Sequence, residues 1–482
     1  MRRLAPPPAP VMPPRVGWLF AYDWDLLALQ RLQREALARF DGAGFDLFSF
    51  PSQLRLAGFD LERFAQRQAA RGRRRGWQAV LSHHEQFGAL AAALVAERLG
   101  LPGPRPQAVL AAQHKLHARR VLQQVAPEAN LGFEVLDARY GDPVPEGLCY
   151  PAYAKPVKAA FSVLARRVDD RATLQAHTRF TAWEQWLVGQ LVEPFDRVAR
   201  RRLPEAGSAH RLLLEEPVAP TVAQYNLDGW VHGGRAHALG VVDAVMVPGT
   251  QAFMRWELPS RLDAATQARV LDVAQRFLGA IGFDDGVFNL EFFHDARTGR
   301  ISVIECNSRM ASQFGDLYRR VLGVDVHAMA VALALGRDPL ALPRAAPSAA
   351  VAASLVYRSF PGRVVPAPPD AARRRAFERD WPDGLLFSFP KRGSALERDY
   401  KWTGSHRYGI VHLGARDRDE LRLRAERASA LLGWPAPYAP YAPHASHASH
   451  AAGAATTAPA AATPGAAGAP DLIPPLAGVS SP

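Results

Sequence analysis

The sequence predicts a multidomain protein of mixed α/β and α+β class, with a parallel α/β domain at the N-terminus and a small α/β unit near the C-terminus. The chain has 482 residues, more than the roughly 100–200 residues of one domain. Hydrophobic residues make up 48% of the chain and aromatic residues 9%, which is enough for several packed cores. Short apolar segments alternate with amphipathic ones in the N-terminal part, as they do in parallel α/β folds.

The N-terminal domain is expected at 16–105, after a disordered arm at 1–15 that lacks the apolar segment of a signal peptide. His83, His84 and Glu85 follow a strand end, where α/β proteins often open a site, so substrate contact is one hypothesis for them. The expected elements of this domain alternate in type: strand 16–22, helix 26–40, strand 45–50, helix 61–70, strand 79–82 and helix 87–99.

The larger core is expected at 106–340, in two α+β halves at 106–211 and 212–340. Turns at Asp228–Gly229 and Gly233–Gly234 should separate antiparallel strands within 221–256. The other expected elements are helix 107–130, strands 133–136 and 152–157, helix 180–192, helix 264–278, hairpin 287–306 and helix 325–335.

A small α/β unit is expected at 348–434, with strands at 352–357 and 409–413 and a helix at 417–432. The tail at 435–482 is rich in alanine and proline and nearly uncharged, which predicts disorder. Three histidines in this tail, His444, His447 and His450, belong to a low-complexity repeat, and we attribute them to that repeat rather than to a metal site.

Composition and charge argue against several classes of protein. The chain has two cysteines, Cys149 and Cys306, so neither a disulfide framework nor a cysteine metal cluster is expected. Such low cysteine content favours a cytoplasmic location. The sequence contains no run of about 18 apolar residues, so a membrane span is not expected. The net charge of +12 is spread along the chain, so nucleic-acid binding is not expected either.

Lysine is rare in this arginine-rich chain, and its lysines are unevenly placed. Of 58 basic residues, the lysines are Lys115, Lys155, Lys158, Lys391 and Lys401. A lysine ammonium is a compact point charge that suits phosphate oxygens, whereas arginine is a planar fork. The clustering of the first three therefore suggests phosphate binding, with chance as the alternative.

The segment 287–307 carries the clearest chemical signal. Because side chains alternate along a strand, Glu291 on one strand of a hairpin and Glu305 and Asn307 on the other can converge on one side of the sheet. Two carboxylates and an amide oxygen suit Mg²⁺ or Mn²⁺. Arg309 follows and can bind a phosphate or a carboxylate. The alternative is an ordinary hairpin with a solvated polar face.

This arrangement resembles the ATP-grasp superfamily, in which a strand with a metal-binding Glu is followed by a strand that ends in E-x-N, often with a later Arg. The segment 150–156 (YPAYAKP) is similar to the family strand that contains a phosphate-binding lysine, and 213–218 (LLEEPV) is similar to the segment beside adenine. The segment 113–122 (QHKLHARRVL) resembles the helix with a second lysine. The loop at 157–162 lacks the glycines usual in the family.

The resemblance implies an ATP-grasp core made of a lysine-bearing and a metal-binding subdomain, and it implies ATP and Mg²⁺ (or Mn²⁺) as cofactors. Catalytic roles would fall to Arg309 and Lys155, and metal binding to Glu291, Glu305 and Asn307. Nucleotide contacts would come from a longer set: Lys115, Lys155, Lys158, Ser162, Glu215, Glu216 and Val218.

The implied reaction is the ATP-dependent activation of a carboxylate as an acyl phosphate, which an amine or similar nucleophile then attacks. Its partners would be small-molecule carboxylates and amines, without nucleic acid or membrane, and a homodimer is possible. Two alternatives remain open: a biotin-dependent carboxylase-type subunit, and a catalytically idle nucleotide-binding protein of the same fold.

Overall fold

The computed structural model describes residues 12–45, 56–159 and 163–438. Most of the N-terminal arm, most of the expected strand 45–50, Ser162 and nearly all of the tail with its histidines lie outside these residues. Within the described part, strands form sheets of three, four and eight members. No helix among these residues has both the length and the apolarity needed to cross a membrane.

The three-stranded sheet is parallel, as expected for the N-terminal unit. Strand β1 (Arg15–Leu19) lies between β2 (Arg39–Ala43) and β3 (Ala79–Leu81). The helices of this unit are α1 (Asp23–Arg34), α2 (Leu61–Arg75) and α3 (Gly88–Leu99).

The first helix was expected at 26–40, and these bounds are wrong. The strand expected at 45–50 falls almost wholly outside the described residues, while the strand found at 39–43 was not expected. Helix α1 ends at Arg34, and Ala36 just beyond it has a left-handed φ of 55° that turns the chain. Residues 39–43 then pair with β1. Strand β2 is an edge strand that is not fully buried, so its sequence RFDGA lacks the apolar run that identifies a buried strand.

The four-stranded sheet is antiparallel. Its strands are β4 (Phe133–Leu136), β5 (Ala152–Pro156), β6 (Arg166–Val168) and β7 (Leu212–Glu215), in the order β4-β7-β5-β6. Its helices are α4 (Pro106–Gln113), α5 (Lys115–Val125), α6 (Arg171–Thr178) and α7 (Ala182–Arg202).

The single helix expected over 107–130 is in fact two helices, α4 and α5, separated at His114. His114 has an extended backbone, and its side chain accepts a hydrogen bond from the His117 N–H, which caps α5. This break places Lys115 at the first turn of α5, where its backbone N–H donates to the carbonyl of Val157. The break therefore brings Lys115 next to the end of β5.

The eight-stranded sheet is antiparallel throughout, in the order β12-β11-β8-β9-β10-β13-β15-β14. Its strands are β8 (Ala223–His232), β9 (Arg235–Met246), β10 (Phe253–Leu258), β11 (Gly286–Asp295), β12 (Arg300–Asn307), β13 (Val351–Ser359), β14 (Leu385–Ser388) and β15 (His406–Ala415). Its helices are α8 (Ala264–Ala280), α9 (Gly315–Leu322), α10 (Val326–Ala334), α11 (Ala371–Asp380), α12 (Ser394–Thr403) and α13 (Arg418–Leu432).

The turn expected at Asp228–Gly229 is wrong, because β8 runs through both residues. Gly229 serves close packing instead: a Cβ at this position would lie 2.2 Å from the carbonyl oxygen of His237 and 2.7 Å from the Phe288 ring. The chain turns at Gly233 and Gly234, as expected, and both have positive φ.

The C-terminal strands belong to the same sheet as the hairpin. Strand β13 pairs with β10, and β15 and β14 extend the sheet further. The segment 348–434 therefore continues the core sheet, which its sequence did not indicate. The expected domain boundaries remain a prediction.

Candidate active site

The hairpin of β11 and β12 places its polar residues opposite one another. Glu291 pairs with Glu305 and Asn289 with Asn307, and the register shifts directly after Glu291. The Asn307 amide Nδ2 donates to Glu291 Oε1 at 3.3 Å. On the other face of β11, Phe288, Leu290 and Phe292 are fully buried, and this apolar packing fixes which side the carboxylates occupy.

The two facing carboxylates differ in charge state. Burial raises the pKa of Glu291, and the nearby Glu305 carboxylate raises it further. For Glu305, burial acts in the same direction, but Lys115 and Lys155 outweigh it and hold the pKa below its usual range. Glu305 is therefore the firmly ionised member of the pair, while Glu291 tends to keep a proton unless a cation lies between them.

Lys115 and Lys155 reach this hairpin from the four-stranded sheet and its helix. Lys115 Nζ lies 2.9 Å from Glu305 Oε2 and donates to the Ala159 carbonyl at 2.7 Å. Lys155 Nζ lies 2.8 Å from Glu215 Oε2 and donates to the Ile304 carbonyl at 3.3 Å. Burial lowers the pKa of Lys155 to about 8, although Glu215 opposes the shift.

Arg119, which was not identified from the sequence, contacts both Glu215 and the backbone of β12. Its Nε lies 2.6 Å from Glu215 Oε1, and its two terminal nitrogens donate to the Val303 and Ile304 carbonyls at 2.6 and 2.9 Å. It lies one turn after Lys115 on α5, so helical spacing from the lysine could have identified it.

The two glutamates expected beside adenine point in different directions. The Glu215 carboxylate is buried between Arg119 and Lys155. The Glu216 carboxylate is exposed and accepts hydrogen bonds from Arg300 at 3.0 and 3.2 Å. Val218 follows β7 and is partly buried. Only Glu215 joins the lysines and the hairpin, and the adenine contact of all three remains a prediction.

A second group of residues lies beyond the carboxylates. Arg309 Nε lies 3.1 Å from Glu85 Oε2. Lys158 Nζ donates to Gln113 Oε1 at 2.9 Å and to the Glu85 carbonyl at 3.2 Å. Burial lowers the pKa of Lys158 to about 8 against the opposing effect of Glu85. Gln113 in turn donates to Ser308 Oγ at 3.1 Å.

These residues form two sides of one site, which we name by their position. The hairpin side consists of Glu291, Glu305, Asn307, Lys115 and Lys155. The loop side consists of Glu85, Arg309, Lys158, Gln113 and Ser308, and Glu85 reaches it from the loop after β3. The loop after β3 had been considered for substrate contact, and its Glu85 is the residue that enters the site.

The donors on the hairpin side fit a divalent cation. They are two carboxylates and an amide, which are hard oxygen ligands of the kind that Mg²⁺ prefers. Glu291 and Glu305 face each other with a raised pKa on one of them, which is the condition that a bound cation would relieve. The lysines beside them would suit phosphate oxygens.

The sequence is similar to that of a characterised ligase. It is 31% identical over 314 residues to carnosine synthase 1 of Gallus gallus, and the match covers 63% of this chain and 32% of that protein. The chain thus spans about one third of the length of this curated relative. No family model matches the chain.

The structure is similar to those of two further enzymes. For the L-amino acid ligase of Bacillus licheniformis the TM-score is 0.63 with 15% identity, covering 87% of this chain and 98% of that one. For the biotin carboxylase of Campylobacter jejuni, solved as a β,γ-ATP complex, the TM-score is 0.54 with 15% identity, covering 86% and 91%. The resemblance seen in the sequence motifs is confirmed: the chain has the fold of the ATP-grasp superfamily.

Proposed function

We propose that this chain is an ATP- and Mg²⁺-dependent ligase that activates a carboxylate as an acyl phosphate and transfers the acyl group to an amine, with release of ADP and phosphate. One observation carries the proposal. Two carboxylates face each other across β11 and β12, with the buried Lys155 and the half-buried Lys115 on the same side and Arg309 immediately beyond. This combination of charges suits a metal-bound polyphosphate next to a reacting group.

The residues would divide the work by position. Lys115 and Lys155 would neutralise phosphate oxygens, with Lys158 as a further cation. Arg309 would hold the transferring phosphate or the substrate carboxylate. A cation held by Glu291, Glu305 and Asn307 would supply charge neutralisation at the phosphates. Catalysis of this kind depends on positioning and electrostatic stabilisation, so no nucleophilic side chain is required.

We further propose that at least one substrate is an amino acid. Among the similar proteins, one is a carnosine synthase and another an L-amino acid ligase, and both names describe the joining of small molecules. The loop side supports a substrate that carries a carboxylate and an ammonium group, because it places the positive Arg309 next to the negative Glu85.

A screen for ADP release tests the proposal. The purified chain would be incubated with ATP, MgCl₂ and pairs of L-amino acids, with bicarbonate alone as a comparison. We expect ADP only when the acid and the amine are both present, and none when EDTA removes the metal. Isothermal titration should show ATP binding that depends on Mg²⁺. Absence of ATP binding with and without metal would contradict the proposal.

A further inference from the structure

We propose that Glu85 binds the acceptor amine as an ammonium ion and takes the proton that the amine must lose before it attacks. The inference rests on the proposed ligase function and assigns a role at the acceptor to Glu85, a residue for which the sequence suggested only substrate contact in general. It follows from the position of Glu85, its surroundings and the use already made of the other carboxylates.

Glu85 has a buried carboxylate oxygen that accepts no hydrogen bond from the described residues, although Arg309 forms an ion pair with it. The residue is 5% exposed. Arg309 Nε is 3.1 Å from Oε2 and Lys158 Nζ is 3.9 Å from Oε1. Among the described residues, however, none donates a hydrogen bond to Oε2. A buried polar atom in this state is unusual in a folded protein, and a ligand ammonium with its three donors would satisfy it.

The other buried acidic groups near the site are already engaged. Asp25 accepts from Tyr22 N–H and lies 2.9 Å from His327 Nε2. Asp228 accepts hydrogen bonds from Asn289, Tyr318 and the Ala311 backbone. Glu215 is paired with Arg119 and Lys155. Glu291 and Glu305 are the proposed metal ligands. Glu85 is thus the carboxylate on the loop side that can receive a substrate cation.

The position of Arg309 explains why Glu85 would bind a substrate cation only when the other substrates occupy the site. In the structure Arg309 and Glu85 offset each other's charge. When Arg309 engages the transferring phosphate or a substrate carboxylate, its positive charge is shared with that anion. The negative charge of Glu85 is then less compensated, and an ammonium beside it restores the balance.

The proton step balances as follows. The ammonium transfers one proton to the Glu85 carboxylate, which leaves a neutral amine with a free lone pair. The lone pair attacks the acyl carbon, the C–N bond forms, and the bond between the acyl carbon and the phosphate oxygen breaks. The departing phosphate carries away the bond electrons and accepts the second proton from nitrogen. No oxidant, reductant or additional reactant is needed.

The electrostatics of the loop side agree with this role. Burial raises the pKa of Glu85, and Arg309 and Lys158 only partly oppose the shift. A carboxylate with a raised pKa is a better proton acceptor near neutral pH than an ordinary glutamate. The other charged groups that act on it are Glu305 and Lys115.

A neutral nucleophile separates this role from a structural one. Hydroxylamine is uncharged at neutral pH and needs neither ammonium binding nor proton removal before it attacks an acyl phosphate. Wild type and Glu85→Gln would be supplied with ATP, Mg²⁺ and the common L-amino acids, with and without hydroxylamine. Hydroxamate would be measured by its iron(III) colour and amide products by mass spectrometry.

We expect Glu85→Gln to form hydroxamate within about threefold of wild type while amide formation falls by about 100-fold or more, the usual contribution of a general base. Glu85→Asp should recover part of the amide activity. The control is Glu62→Gln, the same substitution in the same unit, which removes an ion pair with Arg98 away from the site. It should change neither product.

Three results would overturn the inference. If Glu85→Gln loses hydroxamate and amide to the same extent, Glu85 only positions Arg309 and Lys158. If it retains both, Glu85 does not contact the acceptor. If wild type forms neither product and releases no ADP, the ligase function itself fails and the inference fails with it; this outcome is recognised without any variant.

Discussion

The hairpin side and the loop side of the site are built in different ways. On the hairpin side the carboxylates come from two adjacent strands, so their convergence follows from local pairing. On the loop side, Glu85, Lys158 and Arg309 follow strands of three different sheets: β3, β5 and β12. Local strand pattern is therefore enough to bring the carboxylates of the hairpin side together, whereas the loop side exists only once the three sheets are packed together.

The largest effect is expected on the hairpin side, from Glu305→Gln. This change removes the ionised carboxylate that faces Glu291 and leaves Lys115 without its partner. ADP release in the presence of substrates should fall by about 100-fold or more, since a charged group at the reacting centre is lost. Thermal unfolding should show that the fold persists. Turnover like that of wild type would remove Glu305 from the proposed metal site.

Arg119→Met tests whether the hairpin side depends on the buried ion-pair network behind it. The change leaves the Glu215 carboxylate with Lys155 alone and frees two carbonyls of β12. Breaking a buried pair in this way costs about 3 kcal/mol, which urea unfolding would measure.

The matched control is Arg300→Met, which removes an exposed pair with Glu216. Its effect on the free energy of unfolding should stay below about 1 kcal/mol. Equal losses for the two arginines would show that the buried network contributes no more than a surface pair, and the proposed support for the hairpin side would be wrong.

Glu291→Gln should stabilise the metal-free protein in a pH-dependent way. The folded-state pKa of Glu291 is raised to about 8, so the folded protein holds this proton more tightly than the unfolded chain does. The stabilisation that this proton gives is complete below about pH 4 and is lost as the pH rises towards 8. Glutamine has no such proton to lose, so the variant should become more stable than wild type only as the pH rises.

We expect the free energy of unfolding of the variant to exceed that of wild type by about 1–2 kcal/mol at pH 8.5 and by almost nothing near pH 4. The value at pH 8.5 is discounted for the partial exposure of this side chain. Urea unfolding in EDTA across this range measures it. The same variant should lose activity, because it gives up a proposed metal ligand. A constant difference at every pH would mean that Glu291 does not keep a raised pKa.

The smallest effect is expected for Glu216→Gln, which separates the two glutamates proposed to lie beside adenine. Because the Glu216 carboxylate bonds to Arg300 at the surface, its change should alter ATP affinity by less than about twofold and stability by less than about 1 kcal/mol. Isothermal titration with ATP and Mg²⁺ provides the measurement. A loss of tenfold or more would return Glu216 to the nucleotide site and contradict the placement described above.

Much of the fold was predictable because its signals are local. The alternation of Phe288, Leu290 and Phe292 with polar residues predicts the hairpin, and the parallel order of the N-terminal unit follows from its strand and helix pattern. Strand β2 was not expected because an edge strand need not be apolar, and the break at His114 was missed because a side-chain cap leaves little trace in periodicity.

The candidate site was predictable in part. Motif spacing identified Lys115, Lys155, Glu291, Glu305 and Asn307, which the structure brings together. Glu85 was a candidate only through its place after a strand end. Its contacts and those of Arg119 join residues far apart in sequence, and such contacts leave no periodic pattern.

The continuity of the eight-stranded sheet has a consequence for solubility. Strand β10 hydrogen-bonds to β13 from Arg255 to Leu258, across what the sequence suggested was a boundary near residue 348. A chain cut there would leave β10 as an open edge whose unpaired backbone groups invite strands from other molecules. The C-terminal segment therefore also works as a cover that keeps neighbouring chains apart, and a shortened protein that omits it should self-associate.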